Sequence, residues 1–315
     1  MSALKSVDFH CDVLYKLLLN DKLDFASNES VELDVTLERL KEAKAAIQTF
    51  AIYIPSQRKD WLTAVMESVD LFYNQILSQP SISLIRNKQD LRQCLEKGQL
   101  GALLSMEGVD GLLNNKALLH VLYRLGVRFV GLTWNYANWA ADGVLEPRNG
   151  GLTAAGREFV RYCEQIGMLL DISHLSDRGF WELAELTSKP FIASHSNARQ
   201  VCAHPRNLTD AQIQCIIARE GRIGVTYVPQ FLVQNRSSTI YDIICHIEHI
   251  CELGGEKAVM LGSDFDGIDT HVQDLKHPGH LYRLKEELLK FYSEHQTDHF
   301  ISGNALLFLE TNLPN

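Results

Sequence analysis

Six ionisable side chains stand at or just beyond the ends of short apolar runs that are scattered along the chain. They are His10 and Asp12 in VDFHCD, Glu107 in GALLSMEG, His174 in LLDISHLS, His195 in FIASHSNAR and Asp264 in VMLGSDFDG. Imidazole nitrogens and carboxylate oxygens are the ligands that zinc takes in hydrolytic sites. One carboxylate can also bridge two ions about 3.5–4 Å apart, and such a pair activates water and polarises a carbonyl. The residue types therefore predict a two-metal hydrolytic site, provided that the fold brings them together.

Each of these residues also has an ordinary structural explanation. Residues two apart on a strand share a face, so His10 and Asp12 should project together while Cys11 points the other way. Alone, this tripeptide also fits a polar strand end with common hydrogen bonds, and Glu107 or Asp264 could each cap a following helix. The same coincidence at five strand ends favours one shared site.

The positioning elements are predicted from the apolar runs. Eight strands are expected, at Val7–Asp12, Ala46–Ile54, Leu100–Glu107, Phe129–Thr133, Met168–Ser173, Phe191–Ser194, Arg222–Tyr227 and Ala258–Gly262. Helical patterns lie between them, at Val35–Ala45, Trp61–Leu77, Lys116–Leu125, Ala154–Ile166, Asp177–Leu186, Asp210–Arg219 and Tyr241–Leu253. Apolar strands that alternate with helices are typical of a parallel sheet covered on both faces.

A repeat of about 30 residues predicts an α/β fold, a closed (β/α)8 TIM barrel, as one catalytic domain over residues 1–315. An open doubly wound sheet is the alternative, but it usually carries a glycine-rich phosphate loop after its first strand. This chain has His-Cys-Asp at that point. Active sites of such barrels lie at the carboxyl ends of the strands, which is where the six ionisable residues fall.

The composition argues against several classes of function. The chain has 315 residues and a formal net charge of −9, so we expect no nucleic-acid partner. The start, MSALKSVDFHCD, lacks the apolar segment of a secretory signal, and no run approaches the roughly 18–20 apolar residues of a membrane helix. Seven scattered cysteines without a CxxC pattern predict reduced thiols. We therefore expect a cytoplasmic protein without a membrane partner.

In combination, the motifs resemble the membrane dipeptidase (renal dipeptidase) family, peptidase family M19, of amidohydrolase-type zinc peptidases. The resemblance runs from about Val7 to Leu309 and rests on FHCD, SMEG, DISHLS, SHSNAR, HPRNLTD and GSDFDG in the family's order. It implies a (β/α)8 barrel of the metal-dependent hydrolase type with two zinc ions per chain. It also implies hydrolysis of dipeptides by a metal-bridging hydroxide, with tolerance of a C-terminal D-residue. Because family members often dimerise, a homodimer is a further expectation.

The resemblance also implies roles for individual residues. The metal ligands would be His10 and Asp12 for the first zinc, His174 and His195 for the second, and Glu107 between the two. Asp264 would be the catalytic acid and base, and Arg206 of HPRN would hold the terminal carboxylate of the substrate. The planar guanidinium of arginine suits a carboxylate partner. Without the resemblance, Arg206 could equally be a surface residue of a proline-containing loop.

One position departs from the family pattern. Mammalian-type members have a histidine in a Leu-Thr-His context after the fourth strand, where this chain has Trp134 in LTWN. An indole donates one hydrogen bond but accepts no proton and binds no metal. Trp134, Asn135 or Asn138 could substitute, the metals could stabilise the oxyanion alone, or the substrate preference could have shifted. We predict Trp134 and Asn135 as substrate-binding residues, with rim packing of Trp134, Tyr136 and Trp139 as the alternative.

Two other functions use the same features. A cyclic amide, lactone or deaminase substrate could be processed on the same scaffold, because one barrel supports many chemistries. A metal-binding scaffold without turnover would need a missing ligand, and none of the five is missing. The segment CHIEHIC, residues 245–251, places Cys245 and His249 on one helical face. A structural zinc site needs four ligands, so no separate zinc is predicted there.

Overall fold

A sheet of nine parallel strands forms the centre of the computed structural model, which describes residues 5–27 and 29–315. The strands are β1 (Ser6–Asp8), β2 (Ala45–Tyr53), β3 (Ile82–Leu84), β4 (Leu100–Glu107), β5 (Val127–Gly131), β6 (Leu169–Asp171), β7 (Ile192–Ala193), β8 (Arg222–Val225) and β9 (Val259–Leu261). Eight of them close into a barrel, because β1 pairs with both β2 and β9 and β2 pairs with β4. β3 pairs only with the first residues of β4 and stands outside the ring. The predicted (β/α)8 barrel is confirmed.

Helices follow the barrel strands and cover the sheet. They are α1 (Val13–Leu19), α2 (Leu37–Glu42), α3 (Trp61–Leu71), α4 (Lys88–Lys97), α5 (Lys116–Arg124), α6 (Ala154–Ile166), α7 (Asp177–Leu186), α8 (Asp210–Ala218), α9 (Pro229–Leu232), α10 (Ile240–Glu252), α11 (Leu281–Leu288), α12 (Glu294–Asp298) and α13 (Asn304–Asn312). Thr153, Ser176 and Thr209 begin α6, α7 and α8, and each side chain accepts a backbone N–H of the first turn. Within the described ranges, every helix is too short or too polar to cross a lipid bilayer.

The lower interior of the barrel is apolar. Inward side chains from most barrel strands form one buried cluster, in which the rings of Phe9 and Phe129 lie 5.4 Å apart. Phe308 and Leu309 of α13 continue this cluster. A second, larger cluster fills the space between the sheet and the helices. Since this inner cluster is apolar, the cavity-facing ionisable residues lie above it, at the carboxyl ends of the strands.

Most predicted strands run too far at their carboxyl ends. The sequence predicts a strand over Val7–Asp12, whereas β1 ends at Asp8, and it predicts Arg222–Tyr227, whereas β8 ends at Val225. Single sheet-like hydrogen bonds continue beyond these ends, such as Phe9 N–H to Leu261 O at 2.9 Å. Single pairings with the neighbouring strand therefore continue past β1, although the regular ladder stops where the chain bends at Phe9.

Several elements were not predicted. β3 has only three residues, and α4 buries only Leu91 and Cys94 among ten residues, so neither carries a strong periodic signal. The sequence also predicts one helix over Trp61–Leu77, where α3 passes into a π-helical turn at Phe72–Ile76. None of these differences changes the order of the barrel strands.

Candidate active site

The predicted ionisable residues meet at the carboxyl end of the barrel, beside a cavity of about 470 Å³. Asp12, Glu107, His174, Arg206 and Asp264 line this cavity. Its volume falls within the range of small-molecule sites. His10 and His195 lie beneath it and are almost completely buried, at 2% and 1% exposure. The fold therefore brings together side chains that are up to about 250 positions apart, as a barrel site requires.

His10 is surrounded by three carboxylates. Its Nε2 lies 3.3 Å from Asp12 Oδ2, 3.7 Å from Glu107 Oε2 and 3.6 Å from Asp264 Oδ1. Asp12 stands at the N-cap of α1, yet its side chain makes no capping hydrogen bond. In the described part of the chain, His10 Nε2 and Asp12 Oδ1 are buried without a hydrogen-bond partner. Buried polar atoms that lack a hydrogen-bond partner indicate that this group of side chains is arranged to bind a ligand.

The other oxygen of Glu107 faces two further histidines. Glu107 Oε1 lies 2.6 Å from His174 Nε2 and 3.5 Å from His195 Nε2, and the two Nε2 atoms are 2.8 Å apart. His174 Nδ1 lies 2.9 Å from Asn135 Oδ1 and donates to it, so its Nε2 presents a lone pair. Two imidazole nitrogens and a carboxylate oxygen thus converge on one point, which is an arrangement that a cation stabilises.

The charges of this cluster favour a cation near His10 and neutral imidazoles beside it. Burial alone would lower the pKa of His10, but the negative charges of Asp12 and Glu107 raise it to about 10. Burial, with the charge of Arg206, lowers the pKa of His174 to about 4, and burial likewise holds the pKa of His195 well below its usual value. A metal ion would replace the proton that the carboxylates attract to His10, and neutral imidazoles are the form that binds metal.

The donor set fits two cations that share Glu107. Its members form overlapping groups in which all ligand atoms lie within 4.8 Å of one another. One group is His10, Asp12 and Glu107, and another is Glu107, His174 and His195. Nitrogen and carboxylate ligands in these numbers leave open positions for water and substrate, as catalytic zinc sites do.

Arg206 lies next to the second group and is itself buried, at 4% exposure. Its Nη2 donates to His174 Nε2 at 3.1 Å, whereas its Nε and Nη1 have no hydrogen-bond partner in the described residues. The guanidinium carbon lies 5.4 Å from the centre of the Phe231 ring. Burial lowers the pKa of Arg206 to about 10, which leaves the side chain charged at neutral pH. Two free donors on a buried cation point to an anionic ligand.

The loop after β5 contributes one wall of the cavity. Trp134 and Asn135 both line it. The Trp134 ring lies 6.1 Å from His174 and 5.1 Å from Tyr53, and Tyr53 lies 5.2 Å from Tyr15. The rings of Trp134, Tyr53 and Tyr15 thus form a continuous aromatic wall along the cavity that begins beside His174. Asn135 lines the cavity and also orients His174 through its amide oxygen.

The remaining residues of this loop have other positions. Asn138 uses its side chain to bond Ala140 N–H, Asp110 and Leu132 O, so it shapes the loop and does not line the cavity. Trp139 donates to Val109 O and packs against Phe159, which corresponds to the rim-packing alternative. Tyr136 is 57% exposed. Trp139 therefore packs the rim as the alternative expects and Tyr136 does not, while substrate binding by Trp134 and Asn135 stays a prediction.

Some functional positions were missed by the sequence reasoning. A side chain at Gly267 would collide with the carboxylates of Asp12 and Asp264, so a larger residue here would displace both groups. The signal was present, since Gly267 follows the SDFD sequence directly. Tyr53, the last residue of β2, could have been found by the same strand-end rule that found Glu107.

The CHIEHIC segment forms part of α10 and holds other elements in place. His246 accepts the Ala198 N–H at 3.1 Å, and its Nε2 lies 3.1 Å from Leu232 O. His249 pairs with Asp210 at 2.8 Å. Among the described residues, the groups that could hold a metal all lie in the active-site cluster.

The chain is similar in sequence and fold to known dipeptidases. The family model for membrane dipeptidase (peptidase family M19) matches residues 1–312. Dipeptidase verJ of Clonostachys rogersoniana is 27% identical over 324 residues, covering 97% of this chain and 83% of that protein. The dipeptidase AC of family M19 has a crystal structure that aligns with a TM-score of 0.92 at 27% identity, covering 99% of both chains.

A crystal structure of a metallopeptidase from Rhodobacter sphaeroides is also similar. It aligns with a TM-score of 0.91 at 25% identity and covers 99% of this chain and 100% of that one. That protein was crystallised with a phosphinate mimic of the dipeptide L-Ala-D-Ala.

Proposed function

From the premise that the chain belongs to the membrane dipeptidase family and is a metallo-dipeptidase, we propose that it is a binuclear zinc enzyme for small dipeptides. The proposal includes dipeptides with a C-terminal D-residue. The observation that carries it is the position of an arginine with two free donors beside overlapping groups of metal ligands. That combination suits a substrate with a terminal carboxylate next to a carbonyl that must be polarised.

Five residues of this chain would hold the two ions. They are His10 and Asp12 for the first, His174 and His195 for the second, and Glu107 for both. The distances support this division, because Glu107 turns Oε2 toward His10 and Oε1 toward His174. Bound zinc would supply Lewis acidity, which lowers the pKa of a water molecule to about 7 and polarises the scissile carbonyl.

Arg206 binds the terminal carboxylate in this proposal. Its Nε and Nη1 have no hydrogen-bond partner among the described residues, so each can donate a charge-assisted hydrogen bond to a carboxylate oxygen. Because Nη2 reaches His174, the carboxylate is held within one side chain's length of the metal ligands. This spacing places the bond next to the C-terminal residue, which is the single peptide bond of a dipeptide, over the cluster.

Asp264 moves the protons. Its Oδ1 lies 3.6 Å from His10 Nε2, and its side chain is 14% exposed toward the cavity. Burial, together with the nearby charges of Asp12 and Glu107, raises the pKa of Asp264 well above its usual range. A carboxyl group of raised pKa can take the proton of the attacking water and return it to the leaving amino group.

Trp134 and Asn135 shape the pocket around the substrate. The aromatic wall of Trp134, Tyr53 and Tyr15 suits an apolar side chain of the dipeptide. Replacing Trp134 with Ala should raise KM more for dipeptides with bulky apolar residues than for glycine-containing ones. An equal change for both kinds of dipeptide would show that Trp134 only packs the rim.

The acceptance of D-residues is supported by the Rhodobacter relative, whose bound mimic has a D-residue at the C-terminal position. A panel of L,L, L,D and D,D dipeptides, assayed beside a hydantoin and a lactone, tests the substrate class. We expect turnover of L,L and L,D dipeptides with zinc near two per chain. Turnover confined to the cyclic substrates, or a protein that holds no metal when zinc is supplied, would contradict the proposal.

Location and assembly also belong to the proposal. All seven cysteines are free and lie in the described ranges, which supports a reducing compartment such as a cytoplasm. Thiol titration of freshly isolated protein tests this point. The homodimer follows from the family resemblance, and light scattering of the purified protein would decide it.

A further inference from the structure

A chain of hydrogen bonds runs from His195 into the barrel wall and ends at a carboxylate. His195 Nδ1 lies 2.7 Å from Ser194 Oγ, Ser194 Oγ lies 3.2 Å from Ser173 Oγ, and Ser173 Oγ lies 2.9 Å from Asp171 Oδ1. His195 and both serines are buried. Asp171 is the last residue of β6 and faces β7. None of the reaction steps above uses Asp171 or the two serines.

If each of the three contacts is a hydrogen bond, the number of hydrogens available assigns a direction to every bond in this chain. Asp171 Oδ1 accepts the backbone N–H groups of Ser173 and Ser194, so it is also the acceptor for the Ser173 hydroxyl. The only hydrogen of Ser173 Oγ is used there, so the Ser194 hydroxyl must donate to Ser173. Ser194 Oγ then offers only lone pairs to His195. The hydrogen between them must therefore lie on His195 Nδ1.

This direction has a consequence on the other side of the ring. A neutral imidazole that carries its hydrogen on Nδ1 presents a lone pair at Nε2. His195 Nε2 is the atom that faces Glu107 Oε1 and His174 Nε2. The partner of a metal-bound histidine's second nitrogen sets both the tautomer and the orientation of the ring.

We propose that Asp171, acting through Ser173 and Ser194, is a positioning residue that holds His195 in its metal-binding tautomer. This role rests on the proposed function, because it assumes a metal ion at His195. The network also tightens the backbone, since the His195 N–H donates to Ser173 Oγ at 3.0 Å. The hydrogen bonds to backbone N–H groups alone would hold β6 against β7, but they would not orient the imidazole of His195. The bond between Ser194 and His195 is what separates the two roles.

The chain offers a matched pair of variants for the test. Ser194→Ala removes the acceptor of His195 Nδ1. Ser196→Ala removes the same atom two residues away, where the hydroxyl is buried and has no partner in the described residues. Zinc affinity is measured by competition with a chelator, without any assay of turnover. We expect Ser194→Ala to weaken one of the two zinc ions about 10- to 100-fold, while Ser196→Ala leaves both affinities unchanged.

A second measurement reads the tautomer directly and does not depend on Ser194→Ala folding well. In zinc-free protein with 15N-labelled histidine, His195 is assigned by comparison with His195→Gln. Wild type should show a hydrogen-bearing Nδ1 and a bare Nε2. In Ser173→Ala, the Ser194 hydroxyl is free to donate to His195 Nδ1, so the hydrogen should move to Nε2.

The outcomes separate the two proposals. Equal zinc affinities for Ser194→Ala and Ser196→Ala, or a wild-type His195 with its hydrogen on Nε2, would overturn the positioning role while the dipeptidase proposal stands. A wild-type protein that binds no zinc would overturn the proposed function and, with it, the role of Asp171.

Discussion

Arg222 and Arg206 are both buried arginines, at opposite ends of the same barrel, and they differ in how their donors are used. Arg222 begins β8 at the lower end, and it donates from Nε to Asn304 O at 2.9 Å and from Nη1 to Glu220 O and Gly221 O. Arg206 lies at the upper end with Nε and Nη1 unpartnered among the described residues. Burial is almost equal, at 7% and 4% exposure. The two arginines therefore differ in the hydrogen-bond partners of their donors and not in their burial.

A third buried arginine also donates to backbone oxygens, as Arg222 does at the lower end of the barrel. Arg128, near the start of β5, donates to the carbonyl oxygens of Arg86, Tyr123 and Val127. An arginine whose donors are satisfied by backbone oxygens stabilises the fold, whereas a buried arginine with free donors retains them for a ligand. At the upper end of the barrel Arg206 thus keeps two donors without a partner among the described residues, whereas the two lower arginines donate to backbone oxygens.

Removing the metal should have the largest effect, because it should abolish activity at the upper end of the barrel and leave the lower end folded. Prolonged treatment with a chelator should lower kcat by about 10³-fold or more, because several kcal/mol of transition-state stabilisation is lost. The far-ultraviolet circular dichroism should be retained, since the apolar lower core needs no metal. Added zinc should restore activity. Loss of the folded signal together with the metal would show that the two ends are not independent.

Changing Asp264 to Asn should have the next largest effect. General acid and base catalysis contributes about 10²- to 10⁴-fold, so kcat should fall by that factor while the zinc content stays the same. Asp269→Asn is a suitable control, because this exposed carboxylate lies at the mouth of the same cavity. Turnover that is equal in the two variants would refute the role of Asp264.

Changing Arg206 to Met tests the upper arginine. Charge-assisted hydrogen bonds contribute about 1.5–3 kcal/mol, so kcat/KM should fall about 10- to 100-fold, mainly through KM. The free energy of unfolding should not decrease, because a buried cation with unpaired donors has been removed. A loss of stability with unchanged KM would mean that Arg206 is structural, like the lower arginines.

The same change at Arg222 should give the opposite result and the smallest effect on activity. Arg222→Met leaves three carbonyl oxygens without their donor, so the free energy of unfolding should fall by about 1–3 kcal/mol. Values of kcat and KM should remain those of wild type. Urea unfolding and steady-state kinetics on both variants complete the comparison, and a change in KM for Arg222→Met would contradict it.

The barrel and the ligand cluster could be predicted because both depend on strand ends. In a (β/α)8 fold the last residues of each strand converge, so Glu107 at the end of β4 and His195 after β7 were expected to meet. His10 Nε2 and Asp12 Oδ2 still lie 3.3 Å apart although β1 stops at Asp8 and the chain bends at Phe9. Cys11 between them is buried in the apolar core.

The hydrogen-bond partners of the buried polar side chains could not be predicted in the same way. Whether Arg206 lies at the surface or is buried with free donors depends on how its loop packs, and the sequence left both open. Nothing in the sequence distinguishes Ser173, Ser194 and Asp171 from ordinary polar residues. The hydrogen bonds that connect them depend on the parallel pairing of Asp171 with Ile192 between β6 and β7. Trp134 lies in the aromatic wall through contacts with Tyr53, which is about 80 positions away in the chain. Such contacts depend on side-chain packing that periodicity does not encode.

The most direct test of the account is a crystal structure of the zinc-loaded protein with a phosphinate dipeptide mimic, with zinc located by anomalous scattering. We expect two zinc peaks on either side of the Glu107 carboxylate, and the terminal carboxylate of the mimic hydrogen-bonded to the guanidinium of Arg206. Zinc peaks away from His10 and His195, or a mimic whose carboxylate does not contact Arg206, would contradict it.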